Sequence, residues 1–137
     1  MDLGSWLLII VALLGWGAWG IADKGALRTM HPLSIALAYT TASLLFDIAS
    51  IAIVRPKLEF NIEGLKWAIP GALSANIAFL AYTFVLKKHD AAVITTITSA
   101  YPMVTVILAW LLLNETLNFS KILGIIFILL GGFFITK

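Results

Sequence analysis

The sequence has no cysteine, only two histidines, and few charged residues for its length of 137. The absence of cysteine excludes disulfide bonds, thiolate metal ligands and thiol catalysis. His31 and His89 both fall in short polar joints between apolar stretches. A metal centre is therefore not expected, and no cofactor is predicted.

Catalytic machinery is missing from the sequence as well. The apolar stretches contain no histidine, no pair of acids and no glycine-rich phosphate loop, so the pattern argues against an enzyme. The formal net charge of +2 is spread along the chain instead of forming a basic tract. Nucleic acid is therefore not an expected partner.

What the sequence has in excess is long apolar runs. Of its residues 61% are hydrophobic and 12% charged, whereas a soluble domain carries roughly a quarter charged residues. Crossing about 30 Å of hydrocarbon takes about 20 helical residues. Five stretches meet this length, at about 4–22, 32–54, 67–86, 91–113 and 117–136. The sequence predicts an all-α membrane protein in which residues 1–137 form one domain of five transmembrane helices.

The first stretch is predicted to be a retained helix. A cleavable signal peptide carries positive charge before its apolar run, and Asp2 stands there instead.

The positive residues are divided almost evenly between the two sides of the predicted membrane domain. One side holds Arg55, Lys57, Lys66 and Lys121, and the other holds Lys24, Arg28, Lys87, Lys88 and Lys137. Because the Lys/Arg bias of short loops sets orientation, four against five predicts insertion both ways up and an antiparallel homodimer. The alternative is that nine positive residues are balanced by chance.

Several motifs together resemble a known family. The run from Ser99 through Pro102 to Glu115 is followed by Gly124 and Gly131, and the first stretch contains Gly-Trp-Gly-Ala-Trp-Gly at 15–20. This pattern resembles the EamA domain, the repeat unit of drug/metabolite transporters. Asn114 departs from it, because the family usually has a glycine before the glutamate. The resemblance implies a structural or capping role for Glu115.

The resemblance implies one half of an inverted-repeat transporter, since most members carry two such repeats and ten helices. We expect transport of a small solute or metabolite by alternating access, with two copies of the chain supplying the two repeats. The expected location is a bacterial or archaeal cytoplasmic membrane. The family handles chemically diverse solutes, so the resemblance names no substrate.

Asp47 is the most informative single residue, because a carboxylate inside a membrane span is costly and by default a functional candidate. Tyr39, Ser43, Asp47 and Ser50 share one helix face by their spacing. This stripe must face protein or a watery cavity. The sequence leaves two interpretations open, proton coupling (or binding of a cationic group) and a structural acid held by hydroxyls.

Other polar and aromatic residues are candidates for lining a substrate cavity. Pro102 cannot donate to the carbonyl of Thr98 and predicts a bend in the fourth span, with freed carbonyls that need partners. The predicted cavity residues are Trp16, Trp19, Tyr39, Ser43, Asn76, Thr95, Thr98, Ser99, Tyr101 and Pro102. Alternatively, the Thr and Ser hydroxyls bond to their own helix, Asn76 ties two helices together, and the tryptophans form an interfacial belt.

Two other functions remain open from the sequence. A small multidrug-type exporter is also built from antiparallel subunits, but such chains resemble four spans with an essential acid in the first. A non-transporting partner, or a half-transporter that needs a second chain, would lack the polar faces of the second and fourth spans.

Overall fold

The protein is entirely helical over residues 2–135, the part that the computed structural model describes. Thr136, the predicted end of the last span, and Lys137, counted above among the positive residues, lie outside this range. The six helices in the described range are α1 (Leu3–Ala26), α2 (Pro32–Val54), α3 (Ile62–Leu86), α4 (Ala91–Thr98), α5 (Tyr101–Leu113) and α6 (Phe119–Ile135). The prediction of an all-α membrane protein is confirmed, and the predicted fourth span is divided into α4 and α5.

Side-chain caps set where the first three helices begin. Asp2 accepts the backbone N–H of Ser5 at 3.0 Å, His31 Nδ1 accepts that of Leu33 at 3.2 Å, and Asn61 Oδ1 accepts that of Gly64 at 2.7 Å. Such caps satisfy backbone donors that have no partner within the helix. Hydrogen bonds from the side chain and backbone of Ser5 also lower the pKa of Asp2.

Two helices extend beyond the predicted spans. The cap at Asn61 starts α3 five residues before Trp67, so the added residues include Glu63 and Lys66, which form an exposed ion pair. At its other end, α1 continues past Ala22 and includes Asp23. Apolar periodicity could not reveal these additions, because both are polar helical turns.

The chain divides into two compact units, one holding α1–α3 up to Lys87 and the other holding α4–α6 from Lys88 onward. In the first unit, the buried residues cluster at the end where α1 and α3 finish and α2 begins. They are Gly20, Asp23, Leu27, Pro32, Ile35, Tyr82, Thr83 and Leu86. At this clustered end, Lys24 Nζ donates to the Leu86 carbonyl at 2.7 Å, which ties α1 to the end of α3.

In the second unit, α4 packs mainly against α6, and Ile94 is its buried apolar residue. The helix axis is interrupted at Ser99 and Ala100, just before α5 begins with Pro102 in its first turn. At the far end of α5, Asn114 adopts the left-handed conformation with φ 54°, and its N–H donates to the Ala109 carbonyl.

Apolar side chains cover the outside of both units. Phe46 is 72% exposed, Ile53 81% and Phe134 72%. By length and composition, four segments can cross a membrane, namely α1, α2, α3 and the α4–α5 stretch Ala91–Leu113, and α6 is a shorter apolar helix. A bilayer solvates such surfaces, so this protein needs little buried core of its own.

Candidate substrate groove

A groove of about 290 Å³ opens among the three helices of the first unit. Each helix contributes residues about one turn apart, so that one face of each helix borders the space. The lining residues are Trp16 and Trp19 of α1, Ala36, Tyr39 and Thr40 of α2, and Ala75, Asn76 and Phe79 of α3. The small side chains of Ala36 and Ala75 leave room that larger residues would fill.

Trp19 stands at the centre of an aromatic cluster beside this groove. Its ring lies 5.1 Å from that of Tyr82 in a stacked arrangement and 6.0 Å from that of Phe79, measured between centroids. Tyr39 stacks on Phe79 at 5.2 Å and meets Trp19 edge-on at 6.3 Å. These distances fall within the range of favourable aromatic pairs, which stabilise the walls of the groove.

The polar groups of the groove are neutral. Asn76 Nδ2 donates to the Ala72 carbonyl at 2.8 Å, and Thr40 Oγ1 donates to the Ala36 carbonyl at 2.9 Å. Both bonds stay within one helix, so they fix the side chains without linking neighbouring helices. A hydroxyl and an amide held in this way can orient a polar group of a bound molecule.

Within residues 2–135, two buried polar atoms of α1 have no hydrogen-bond partner. They are Trp19 Nε1 and Asp23 Oδ2, and Asp23 as a whole is only 4% exposed. An unsatisfied buried donor or acceptor costs about 1–3 kcal/mol, so such atoms are rare without a ligand or functional reason.

Sequence reasoning missed Asp23, because it placed this residue in a loop after the first span. The available signal was Leu27, an apolar residue four positions later that continues the helical face through Asp23.

The predicted cavity residues of the first unit are brought together in part. Trp16, Trp19, Tyr39 and Asn76 all line the groove. Ser43 lies one turn further along α2 and is partly buried, while Asp47, another turn on, is exposed.

The remaining predicted residues lie in the second unit, at and around the helix break. Thr98 Oγ1 donates to the Ile94 carbonyl at 2.8 Å, and Ser99 Oγ donates to the Thr96 carbonyl at 2.6 Å. Thr95 is partly buried in α4, Tyr101 is 58% exposed, and Pro102 occupies the first turn of α5. The Thr98 and Ser99 hydroxyls thus stabilise the end of α4 locally.

A second, apolar groove of about 230 Å³ lies in this unit and was not predicted from the sequence. Its lining residues are Ile97, Ala100, Ile128, Leu129, Gly132 and Phe133. Ala100 belongs to the helix break, and Gly132 supplies a position without a side chain on α6. The break and the glycine together leave this space.

Residues 2–135 contain no group of three or more His, Asp or Glu side chains placed to hold a metal ion. The chemistry that the first groove offers is instead aromatic stacking, neutral hydrogen bonding and, one helical turn away, a carboxylate.

Comparison with known proteins places the chain among transporters. The EamA-like transporter family matches residues 3–137. A WAT1-related protein of Arabidopsis thaliana is 26% identical over 92% of this chain and 37% of its own length. An uncharacterized transporter of Archaeoglobus fulgidus is 25% identical over 93% of this chain and 45% of its own length.

An uncharacterized protein of Methanocaldococcus jannaschii is 34% identical over 49% of each chain. The chain spans less than half the length of the Arabidopsis thaliana and Archaeoglobus fulgidus relatives, and no solved structure matches it significantly. The family match covers nearly the whole sequence and agrees with the apolar helices. The protein is an integral membrane protein that belongs to the EamA-like transporter family.

Proposed function

We propose that the chain is a secondary transporter that moves a small solute or metabolite by alternating access, working as an antiparallel homodimer. The observation that carries this proposal is the aromatic groove among α1, α2 and α3 of a chain in a transporter family. Such a groove among membrane-spanning helices is suited to hold a small molecule within the membrane. The family is one of transporters, and the proposal includes no enzymatic step.

The groove serves as the substrate site in this proposal. Trp16, Trp19 and Phe79 offer flat apolar faces, while Thr40 and Asn76 offer polar groups at its edge. A solute that is partly aromatic or aliphatic and carries one or two polar groups fits this lining best. In this proposal the aromatic side chains, which pack against each other, keep lipid tails out of the groove.

The break between α4 and α5 is proposed as a second part of the transport pathway. Interrupted helices at membrane depth are tolerated where they are buried in protein or line a cavity. We propose that the residues at and around this break contact the solute as it moves. They are Thr95, Thr98, Ser99, Tyr101 and Pro102.

The polar stripe of α2 supports the pairing of two subunits. Asp47 and Tyr39 are exposed on one subunit, on a helix whose length and composition suit a membrane span. A carboxylate facing lipid costs several kcal/mol, about 2.5–3.5 on insertion scales, so a second protein surface or a watery cavity must cover it. A partner subunit would supply that cover. Asp47 would then be placed to exchange a proton during transport.

The near-even distribution of positive residues supports the antiparallel arrangement. Four positions on one predicted side and five on the other leave almost no orientation bias. Two oppositely inserted copies would form the inverted repeats that alternating access requires. A cytoplasmic membrane of a bacterium or archaeon is the proposed location.

Transport can be tested without knowing the substrate. The purified chain would be reconstituted into liposomes loaded with a defined mixture of amino acids, sugars and amines, and mass spectrometry would follow their release. At least one compound should leave faster than from protein-free liposomes, and Asp47→Asn should slow that release if Asp47 exchanges the coupling proton. Equal leakage of every compound from both preparations would contradict transport of these classes.

Orientation is tested separately by cysteine labelling, because the natural sequence has no cysteine. Thr29→Cys marks the joint between α1 and α2, and Leu58→Cys marks the joint between α2 and α3, on the opposite predicted side. An impermeant maleimide applied to intact cells should label about half of each variant. Complete labelling of one variant and none of the other would show a single orientation, and the partner would then be a different chain.

A further inference from the structure

We propose that the groove selects a protonated amine, and that the buried carboxylate of Asp23 is the counter-ion of its ammonium group. The preferred solute would carry an aromatic ring, a hydroxyl or carbonyl oxygen and the ammonium within a few bonds of one another. This inference rests on the proposed role of the groove as the substrate site and adds the chemical class of the solute.

The position of Asp23 on α1 connects it with the groove. Asp23 follows Trp19 by four residues and Trp16 by seven, so all three lie on one helix face. Four residues correspond to about 6 Å along the axis. Helical side chains lean toward the N-terminus of their helix, which for Asp23 is the direction of Trp19 and the groove. Asp23 itself does not line the groove and lies one helical turn beyond it.

The two unpartnered atoms indicate which groups a ligand would supply. Asp23 Oδ2 needs a hydrogen-bond donor, and Trp19 Nε1 needs an acceptor. These two atoms belong to adjacent turns of the same helix face, so one small molecule can satisfy both. An ammonium N–H would donate to Asp23, and a neighbouring oxygen would accept from Trp19.

Lys24 follows Asp23 in the chain, and its Nζ is engaged at the end of α3. The distance of 2.7 Å from Lys24 Nζ to the Leu86 carbonyl oxygen marks a strong hydrogen bond at the C-terminus of α3. A cation at this position is favoured by the helix dipole. Lys24 is therefore hydrogen-bonded at the end of α3, and Asp23 Oδ2 has no hydrogen-bond partner within residues 2–135.

The aromatic walls also favour a cation. The faces of Trp19, Tyr39 and Phe79 carry partial negative charge and attract an ammonium group within about 6 Å of a ring centre. A buried carboxylate repels an anion. A neutral molecule can donate a hydrogen bond to it but leaves its buried charge without a counter-ion. Aromatic faces and the carboxylate thus discriminate in the same direction.

The size of the groove limits the solute. Its volume of about 290 Å³ is at the lower end of ligand pockets, which span roughly 300–1,000 Å³. One aromatic ring with a short amine-bearing chain fits this space better than a larger multi-ring compound.

The test compares three compounds that share a skeleton and differ in charge. They are 2-amino-1-phenylethanol (a cation), 1-phenylethane-1,2-diol (neutral) and mandelate (an anion). Calorimetric titration of the purified chain in detergent should show the amine binding about 10- to 100-fold more tightly than the diol, since a charge-assisted hydrogen bond is worth about 1.5–3 kcal/mol. Mandelate should bind most weakly.

Asp23→Asn keeps the shape of the side chain and removes its charge, so the amine and the diol should then bind about equally. The matched control is Glu59→Gln, which neutralises an exposed acid in the joint between α2 and α3. This control should keep the full preference for the amine. The thermal unfolding midpoint of each variant shows whether it is folded.

Equal binding of the three compounds to the natural chain would overturn the proposal, and this measurement does not depend on any variant folding. A preference for the amine that persists in folded Asp23→Asn would overturn the role of Asp23. Neither outcome bears on transport, which the liposome experiment tests separately. Conversely, amine-selective binding together with no release from liposomes would contradict transport and not the binding site.

Discussion

At the scale of single residues, Trp19 has the largest expected influence on the proposed site. It contacts three other aromatic rings and lines the groove. Each aromatic pair contributes about 0.5–1.5 kcal/mol beyond the area that it buries. We expect Trp19→Ala to weaken the apparent affinity for a transported solute by tenfold or more.

The liposome release assay, run over a range of solute concentrations, measures this loss. Trp6→Ala is the matched control, because Trp6 is 54% exposed near the start of α1 and does not line the groove. Its release rate should match that of the natural chain. Equal affinities for the Trp19 variant and the natural chain would remove the groove from the transport pathway.

Asn114, where the sequence departs from the family pattern, adopts a left-handed backbone conformation. Its φ of 54° lies in the left-handed region, which glycine adopts freely and asparagine tolerates better than other residues. The glycine usual at this position in the family suits the same backbone conformation. A β-branched side chain would raise the cost by about 1–2 kcal/mol.

We therefore expect Asn114→Gly to unfold at the same temperature as the natural chain or slightly higher, and Asn114→Val to unfold several degrees lower. Scanning fluorimetry in detergent measures both midpoints. Equal unfolding midpoints for the valine and glycine variants would contradict this expectation. They would mean that α5 can end in another conformation.

At the scale of elements, the division of the fourth predicted span into α4 and α5 has a local cause. Pro102 has no N–H, so it cannot donate to the Thr98 carbonyl, and the helix is interrupted at Ser99 and Ala100. Pro102→Ala restores the donor and should join α4 to α5. Amide hydrogen exchange over residues 99–103 should become slower, and solute release should fall.

Pro70→Ala is the control for this change. Pro70 also lies inside a candidate membrane span, yet α3 continues through it from Ile62 to Leu86. Its replacement should leave solute release close to that of the natural chain. Unchanged exchange and release in the Pro102 variant would show that the break has another origin and is not needed for transport.

The sequence predicted the helical elements in more detail than the residues that line the groove. Apolar run lengths gave the all-α membrane class, and the proline indicated the bend near Thr98. Spacing on α1 identified Trp16 and Trp19, which both line the groove. Phe79 was not singled out, because in an apolar span a phenylalanine gives no sign of whether it faces lipid or protein. Asp23 was missed because length arguments end a helix at its first charge, whereas α1 continues for another turn.

At the scale of the whole molecule, orientation depends on very few charges. Lys57→Gln with Lys66→Gln would leave two positive residues on one predicted side and five on the other. Arg28→Gln with Lys87→Gln and Lys88→Gln would leave four against two. Each set should lock the chain in one of the two opposite orientations.

Each locked variant alone should be inactive in cells if transport requires an antiparallel pair, and coexpression of the two should restore it. Uptake of the solute identified in liposomes is the readout, and maleimide labelling at Thr29→Cys verifies the orientations. Full activity of one locked variant by itself would show that the pair is not antiparallel.

The clustering of buried residues at one end of α1–α3 has a mechanical consequence. The Lys24–Leu86 bond and the buried residues around Leu27 hold α1 and α3 together at this end, whereas the described residues at the opposite ends of the three helices are mostly exposed. A tilt of α1 by about 10° about Leu27 would shift Trp16 by about 3 Å and Leu3 by about 6 Å, taking 1.5 Å of rise per residue. Such a tilt would widen the groove toward the Leu3 end of α1. The same tilt would move Asp23 by only about 1 Å.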